Sequence, residues 1–263
     1  MNCFNAKAQM NHVEFGARSK GLGNSNSTLT DEWSIFNNPG GISGVKSGVV
    51  FFGYDRVQSI EGFDKVAAGV VQPLKFGNVG LGFFKFGDEL YSEQSVSLAY
   101  SNKVGFVRLG FRANYYQMHI DQSGTAGTLS FDIGGIVELI PKVNFGAYIS
   151  NFTLAKLSNP EHSELPVVMK LGFVYMPANE LKLYMDIYKD IAYKPIAMVA
   201  LEYVIVEKFY LRTGVNTDPF TSHFGGGILL NRFKIDYAFS NNDFLGLSHQ
   251  ASISFIFNKI DED

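Results

Sequence analysis

The sequence predicts an all-β chain, a transmembrane antiparallel β-barrel of about fourteen strands. Three observations predict it. From residue 46 onward, short segments alternate apolar and polar residues with a period of two, the pattern of half-buried strands. No apolar run reaches the ~18–20 residues that a membrane-crossing helix needs. The longest candidate, residues 196–206, is interrupted by Glu202. The composition is apolar and lightly charged: 18% of the 263 residues are charged and 14% are aromatic, with 24 Phe and 13 Tyr. An average soluble domain is roughly 25% charged.

The same arithmetic excludes several classes. Lys and Arg number 22 against 25 Asp and Glu, a formal net charge of −3. A nucleic-acid binder would carry a basic excess, so none is expected as a partner. The single cysteine, Cys3, rules out a disulfide framework and a cysteine-based zinc site.

Taken in order, residues 1–8 end in Ala6-Lys7-Ala8, the A-x-A form of a signal-peptidase site, and read as the remnant of an export signal. Residues 9–45 are rich in Gly, Ser, Asn and Thr. They hold one short candidate helix near 31–37, capped by Thr30 or Asp31 and ended by Asn38-Pro39-Gly40-Gly41. Fourteen strand segments follow within 46–257, near 47–55, 64–73, 77–86, 92–101, 104–117, 127–139, 142–151, 167–176, 180–189, 196–205, 208–216, 222–231, 233–240 and 247–257. Short turns are expected at Asn102-Lys103, Pro141, 177–179, Glu207 and Arg232, and the longest connection spans 152–166. A polar tail, 258–263, closes the chain. Short periplasmic turns and longer outer loops put both termini in the periplasm.

The alternation also indicates the solvent. Leu109, Phe111 and Tyr115 oppose Arg108, Arg112 and Asn114. Leu183, Met185 and Ile187 oppose Lys182, Tyr184 and Asp186. Leu201 and Tyr203 flank Glu202, and Ile253 and Phe255 oppose Ser252 and Ser254. A soluble sandwich would turn its apolar face inward and load the other with solvating charge. Here the second face is mostly Gly, Ala, Ser and Tyr, with few charges. Lipid outside and a crowded polar interior fit better, and backbone groups in hydrocarbon require the sheet to close. Tyr54, Tyr100, Tyr175, Tyr203 and Tyr237 are placed toward strand ends, where a ring that is apolar with a wet hydroxyl suits a membrane interface.

The expected lumen carries Arg108, Arg112, Lys170, Lys182, Arg212 and Lys234 against Asp132, Glu138, Asp186, Glu202 and Asp236, six positive and five negative. Such near-cancellation disfavours a strongly ion-selective channel. It suits charges that pair across a filled lumen, or a polar track for a ligand headgroup. The five histidines show no metal-binding spacing. No G-x-S-x-G elbow, phosphate loop or dinucleotide glycine pattern occurs. No catalytic residue, metal or cofactor is therefore expected, and the chain reads as a non-enzyme. Gly80 and Gly82 read as small inward residues of a strand.

The N-terminal stretch carries a family resemblance. Residues 15–24 (FGARSKGLGN) and 28–41 (TLTDEWSIFNNPGG) resemble the start of FadL-like outer-membrane barrels, most closely the PorV/PorQ group of the Bacteroidetes type IX secretion system. Ala17, Arg18, Gly21, Leu22 and Gly23 match its A-R-x-x-G-(M/L)-G stretch. Asp31 and Ser34 match its D-x-x-S motif, and Asn38-Pro39 its N-P-A motif, with Gly40 where Ala is usual. The resemblance implies an outer-membrane location in contact with lipid, fourteen strands, and residues 9–45 folded into the lumen as a hatch. It implies a PorV-like role in protein secretion or surface attachment, with a translocon or cargo protein as partner. The alternative it implies is FadL-like passive transport of hydrophobic small molecules through a hatch-gated lumen.

Overall fold

The computed structural model describes residues 12–58, 62, 64–157, 165–243 and 246–258. The expected signal remnant 1–8 and the tail beyond Asn258 lie outside the described residues. Fourteen strands form: β1 (Gly48–Val57), β2 (Asp64–Leu74), β3 (Gly77–Gly87), β4 (Tyr91–Val104), β5 (Val107–Ile120), β6 (Gly124–Ile140), β7 (Val143–Ser150), β8 (Val168–Tyr175), β9 (Leu181–Asp190), β10 (Ile196–Ile205), β11 (Phe209–Thr217), β12 (Phe220–Leu230), β13 (Phe233–Asn242) and β14 (Gly246–Asn258). Each overlaps one expected segment. Every strand pairs antiparallel with its sequence neighbours, and β1 pairs with β14 to close the barrel. Gly53 of β1 sits opposite Ala67 on one side and Ser252 on the other. Closure leaves no strand edge unpaired, which hydrocarbon surroundings demand.

One end of the barrel is made mostly of two- and three-residue turns, and the other mixes such turns with longer connections, the longest spanning 151–167. At the turn end, Gly105, Lys142 and Asn231 take positive φ values of 62°, 73° and 49°, which a two-residue hairpin needs. Asn102-Lys103 is not a turn, contrary to expectation. Both residues pair with β5 in the ladder, and the turn falls at Gly105-Phe106. Glycine reaches the left-handed region without steric cost, so it takes the corner.

The two faces of the sheet divide by chemistry. Leu183, Tyr203, Leu211, Phe224, Ile235 and Ile253 are exposed on the outside, while Arg112, Asp132, Asp186 and Glu202 are buried within. Tyr54, Tyr100, Tyr175, Tyr203 and Tyr237 all stand exposed on the outer face. No helix among the described residues is long and apolar enough to cross a membrane.

Residues 12–45 occupy the lumen. They contain one helical turn, α1 (Ala17–Gly21), and two 3-10 turns, Glu32–Ile35 and Pro39–Gly44. Their rings build an interior core. Trp33 meets Phe51 of β1 edge-on with centroids 4.6 Å apart, and Phe15 lies 5.5 Å from Trp33. The inward glycines of β3 make room for this segment. A Cβ on Gly82 would stand 2.9 Å from the Phe36 ring, closer than packed carbon atoms approach.

Candidate functional site

The lumenal segment is built from short-range signals. Asp31 caps the first 3-10 turn, accepting from the Trp33 N–H at 3.1 Å, while Ser34 Oγ accepts from the Asp31 N–H at 3.3 Å. This reciprocal arrangement is a capping box, and it satisfies donors that a buried helix start would otherwise strand. The expected helix near 31–37 is thus a single 3-10 turn. Asn38 caps the second turn through the Gly40 N–H at 3.0 Å. Its amide nitrogen donates to Ser27 O at 2.6 Å within the segment and to Gly135 O at 3.0 Å on the wall. Pro39, at the first position of that turn, lies so close to β5 that a Cβ on Gly110 would run into its carbonyl. Ala17 is fully buried. Gly21 packs on Gly225 of β12, and Gly23 (φ +62°) packs on β11.

The wall charges turn inward and clamp this segment. Glu202 lies at the centre of the largest cluster. It accepts from Arg18 (2.9 and 2.7 Å), from Arg212 (2.8 Å) and, through Oε1, lies 3.5 Å from Lys182. Arg212 also reaches Asp236 at 2.6 Å, and Lys234 links Asp236 (3.8 Å) to Glu32 (3.4 Å). A second cluster joins Arg112 to Asp132 at 2.5 Å. Asp132 also accepts from Asn114, Ser150 and the Asn151 N–H, and Arg112 donates to the carbonyls of Ile35 and Asn37. In a third, Lys170 holds Glu14 and donates to Asn24 O at 2.9 Å.

Three expected lumen charges behave otherwise. Among the described residues, Asp186 pairs with no cation in its immediate contact. It accepts from the Ser27 N–H and hydroxyl, both at 2.9 Å, and so holds the lumenal backbone. Arg108 is half-buried at the turn end and donates to Ser43 O at 3.1 Å. Glu138 is exposed and lies outside the buried clusters. Glu138 pairs with Asn144 near the turn end of β6, and a register irregularity follows it before Ile140.

Sequence reasoning missed the partners supplied by the lumenal segment and by β1. Lys20 binds Asp55 at 2.5 Å, Glu14 meets Lys170, and Glu32 accepts from Ser254 Oγ at 2.6 Å. Asp55 carried a usable signal, since it shares the inward phase of Phe51 and Gly53. Two titratable groups here are strongly biased. Burial drives His12 from 6.5 to about 4. Burial alone would raise Glu14, but the neighbouring Lys170 and His12 bring it below the usual carboxylate range. The Tyr148 hydroxyl donates to Glu14 at 2.6 Å and lies 3.4 Å from His12 Nε2.

The segment leaves a cavity on either side of α1. One, of about 380 Å³, lies at the turn end beside Arg18. The other, of about 300 Å³, lies at the loop end beside Lys20. Along β1–β5 the lumen is instead apolar. Phe15, Trp33, Phe36, Phe51, Phe84, Phe86, Tyr116 and Met118 form one cluster that continues to Leu157 and Leu165 of the β7–β8 connection. Among the described residues no group of His, Cys, Asp and Glu is arranged to hold a metal ion.

No family model matches the sequence, and no curated protein matches it either. Solved structures do resemble the fold. The toluene transporter TodX of Pseudomonas putida superposes with a TM-score of 0.73 at 12% identity, over 95% of this chain and 100% of that one. The toluene transporter TbuX of Ralstonia pickettii gives 0.73 at 12% identity, over 94% and 100%. A FadL homologue of Pseudomonas aeruginosa gives 0.67 at 11% identity, over 94% and 100%. At such identities the likeness establishes the fold, a closed fourteen-strand barrel of FadL-like form.

Proposed function

We propose that this chain is a non-enzymatic outer-membrane barrel that passes hydrophobic small molecules, with residues 12–45 as the gate. One observation carries the reading: an apolar seam inside the lumen. It runs from Leu157 and Leu165 at the loop end through Met118, Tyr116, Phe86 and Phe84 to Phe15 and Trp33 of the lumenal segment. The charged clusters hold the segment mainly along β5–β13, so small movements at the seam need not break them. An aromatic or aliphatic molecule gains there the burial it loses on leaving the membrane surface.

The neighbouring structures support this reading, since TodX and TbuX are described as toluene transporters. They lend nothing to a secretion role with a translocon or cargo protein, the reading that the PorV/PorQ resemblance favoured. The outward apolar belt supports contact with outer-membrane lipid. On this reading the tight turns face the periplasm, together with both termini.

The test is uptake. Cells expressing the barrel should take up naphthalene faster than cells without it. A Cys3→Ser background carrying Ile35→Cys and Gly80→Cys ties the segment to the wall beside the seam, where a Cβ on Gly80 would stand 3.0 Å from Ile35 Cδ1. Oxidation should abolish the gain and reduction restore it. Equal uptake with and without the barrel would overturn the proposal.

A further inference from the structure

The cavity at the turn end has a chemistry that passage of hydrophobic molecules does not explain. About 380 Å³ in volume, it is bordered by Arg18, Lys46, Lys182 and Lys234 together with Asp31 and Glu32. The carboxylates of its cluster are less exposed than the cations, and Glu202 and Asp236 do not line the space. The carboxylate side chains are 6% (Asp31), 9% (Glu32), 0% (Glu202) and 2% (Asp236) exposed. Among the cations, Lys182 is 29% exposed, Lys234 18% and Arg18 15%. In a cluster with nearly equal charge of both signs, the cations thus offer more of their surface to the cavity than the carboxylates do.

The lysines are also loosely committed. Lys182 lies 3.5 Å from Glu202, while Lys234 lies 3.4 Å from Glu32 and 3.8 Å from Asp236. Ammonium–carboxylate hydrogen bonds close to about 2.7–2.9 Å when fully made. Glu202 has meanwhile received both guanidinium groups, from Arg18 and Arg212, at 2.7–2.9 Å. Each lysine thus has donor capacity to spare on its cavity side.

We propose that this cavity is a binding site for a small dissolved oxyanion of the carboxylate or phosphate class, held between the ammonium groups of Lys182 and Lys234. An oxyanion seated there takes two charge-assisted hydrogen bonds, in a recess where attraction is stronger than on an open surface. The site lies on the lumenal side of the wall, which assigns it to a dissolved anion rather than to a lipid headgroup in the bilayer. It stands independently of the transport reading.

The test uses the intact barrel in neutral detergent at low salt. Lysines are labelled as dimethyl-lysine, and sodium phosphate and sodium acetate are added separately. The signals of Lys182 and Lys234 should shift saturably with at least one anion, and that of Lys65, at the opposite cavity, should not. Lys182→Gln and Lys234→Gln should each weaken the apparent affinity about tenfold, as loss of one charged hydrogen bond implies. Lys65→Gln should leave it unchanged. Added chloride should compete. Failure of both anions to shift the two signals, or shifts shared equally by Lys65, overturns the proposal. So does a correctly folded Lys182→Gln, Lys234→Gln double variant that binds as well as the native chain. A shift seen only in vesicles containing phosphatidylglycerol would reassign the site to lipid and overturn it equally.

Discussion

Arg18 and Glu202 lie 184 residues apart and meet through two hydrogen bonds, Nε to Oε2 at 2.9 Å and Nη2 to Oε1 at 2.7 Å. The bidentate pair ties α1 to β10 at the centre of the lumen. Glu202 is also the only carboxylate there that both guanidinium groups share, with Arg212 bonded to its Oε2 at 2.8 Å among the described residues. Its loss would leave two guanidinium groups and Lys182 facing one another.

That relationship predicts an asymmetry. Glu202→Gln should destabilise the lumenal segment more than Arg18→Gln, because Arg18→Gln still leaves Glu202 with Arg212 and Lys182. Breaking a buried pair from one side costs about 3–5 kcal/mol. Urea-dependent proteolysis of residues 12–45 in detergent measures it, and equal sensitivity of the two variants would count against the central role of Glu202.

Acid should loosen the first part of the segment. His12 is neutral in the folded chain, its pKa lowered by burial from 6.5 to about 4. As pH falls through that window, the released segment takes up a proton that the packed one refuses, so stability present above pH 6.5 is lost toward pH 4. Glu14 acts in the same direction below its ordinary value of 4.5, since the neighbouring Lys170 ammonium holds it ionised against the effect of burial. Amide exchange at residues 13–16 should therefore speed up from pH 7 to pH 4, after correction for intrinsic rates. Unchanged protection would refute the assignment.

Gly82→Leu should displace the segment without opening the barrel. The new side chain would occupy the space of the Phe36 ring, which lies 2.9 Å from an ideal Cβ. Overpacking of this kind costs about 1–3 kcal/mol. Trp33, the single tryptophan, should report the shift by red-shifted emission, while strand content by circular dichroism stays native. A native emission maximum would mean that the segment tolerates the intrusion.

Asn38→Ala removes a side chain that bonds Ser27 O, Gly135 O and the Gly40 N–H. Leaving buried partners unmet costs about 1–3 kcal/mol each. The variant should lose protection from protease in residues 24–45 before residues 12–20 are affected. Loss in the reverse order would place the principal anchor elsewhere.

The barrel was legible because a two-residue period is imposed directly by which solvent each side chain meets, as Leu183 against Asp186 and Phe111 against Arg112 illustrate. Alternation says nothing about where a strand leaves the filled part of the lumen. For that reason Glu138, in phase with Asp132, was expected inside and stands exposed. Nor does it distinguish a polar ladder pair from a turn, and so Asn102-Lys103 was misread. The lumenal segment has no period of its own. Its motif residues announced local caps at Asp31, Ser34 and Asn38, but the contacts of Glu14 with Lys170 and of Lys20 with Asp55 depend on a wall folded around them.

The account rests on the apolar side of the sheet meeting lipid while the N-terminal segment and its ionic clamps fill the interior. Spin labels placed singly at Leu183, Leu201, Ile253, Ser34 and Ser254, in lipid nanodiscs, test it most directly through collision with oxygen and with a water-soluble nickel chelate. The first three should be accessible to oxygen and shielded from nickel, and the last two should be shielded from both. Nickel accessibility at Leu183, Leu201 and Ile253, or free collision of either reagent at Ser34, would contradict the account.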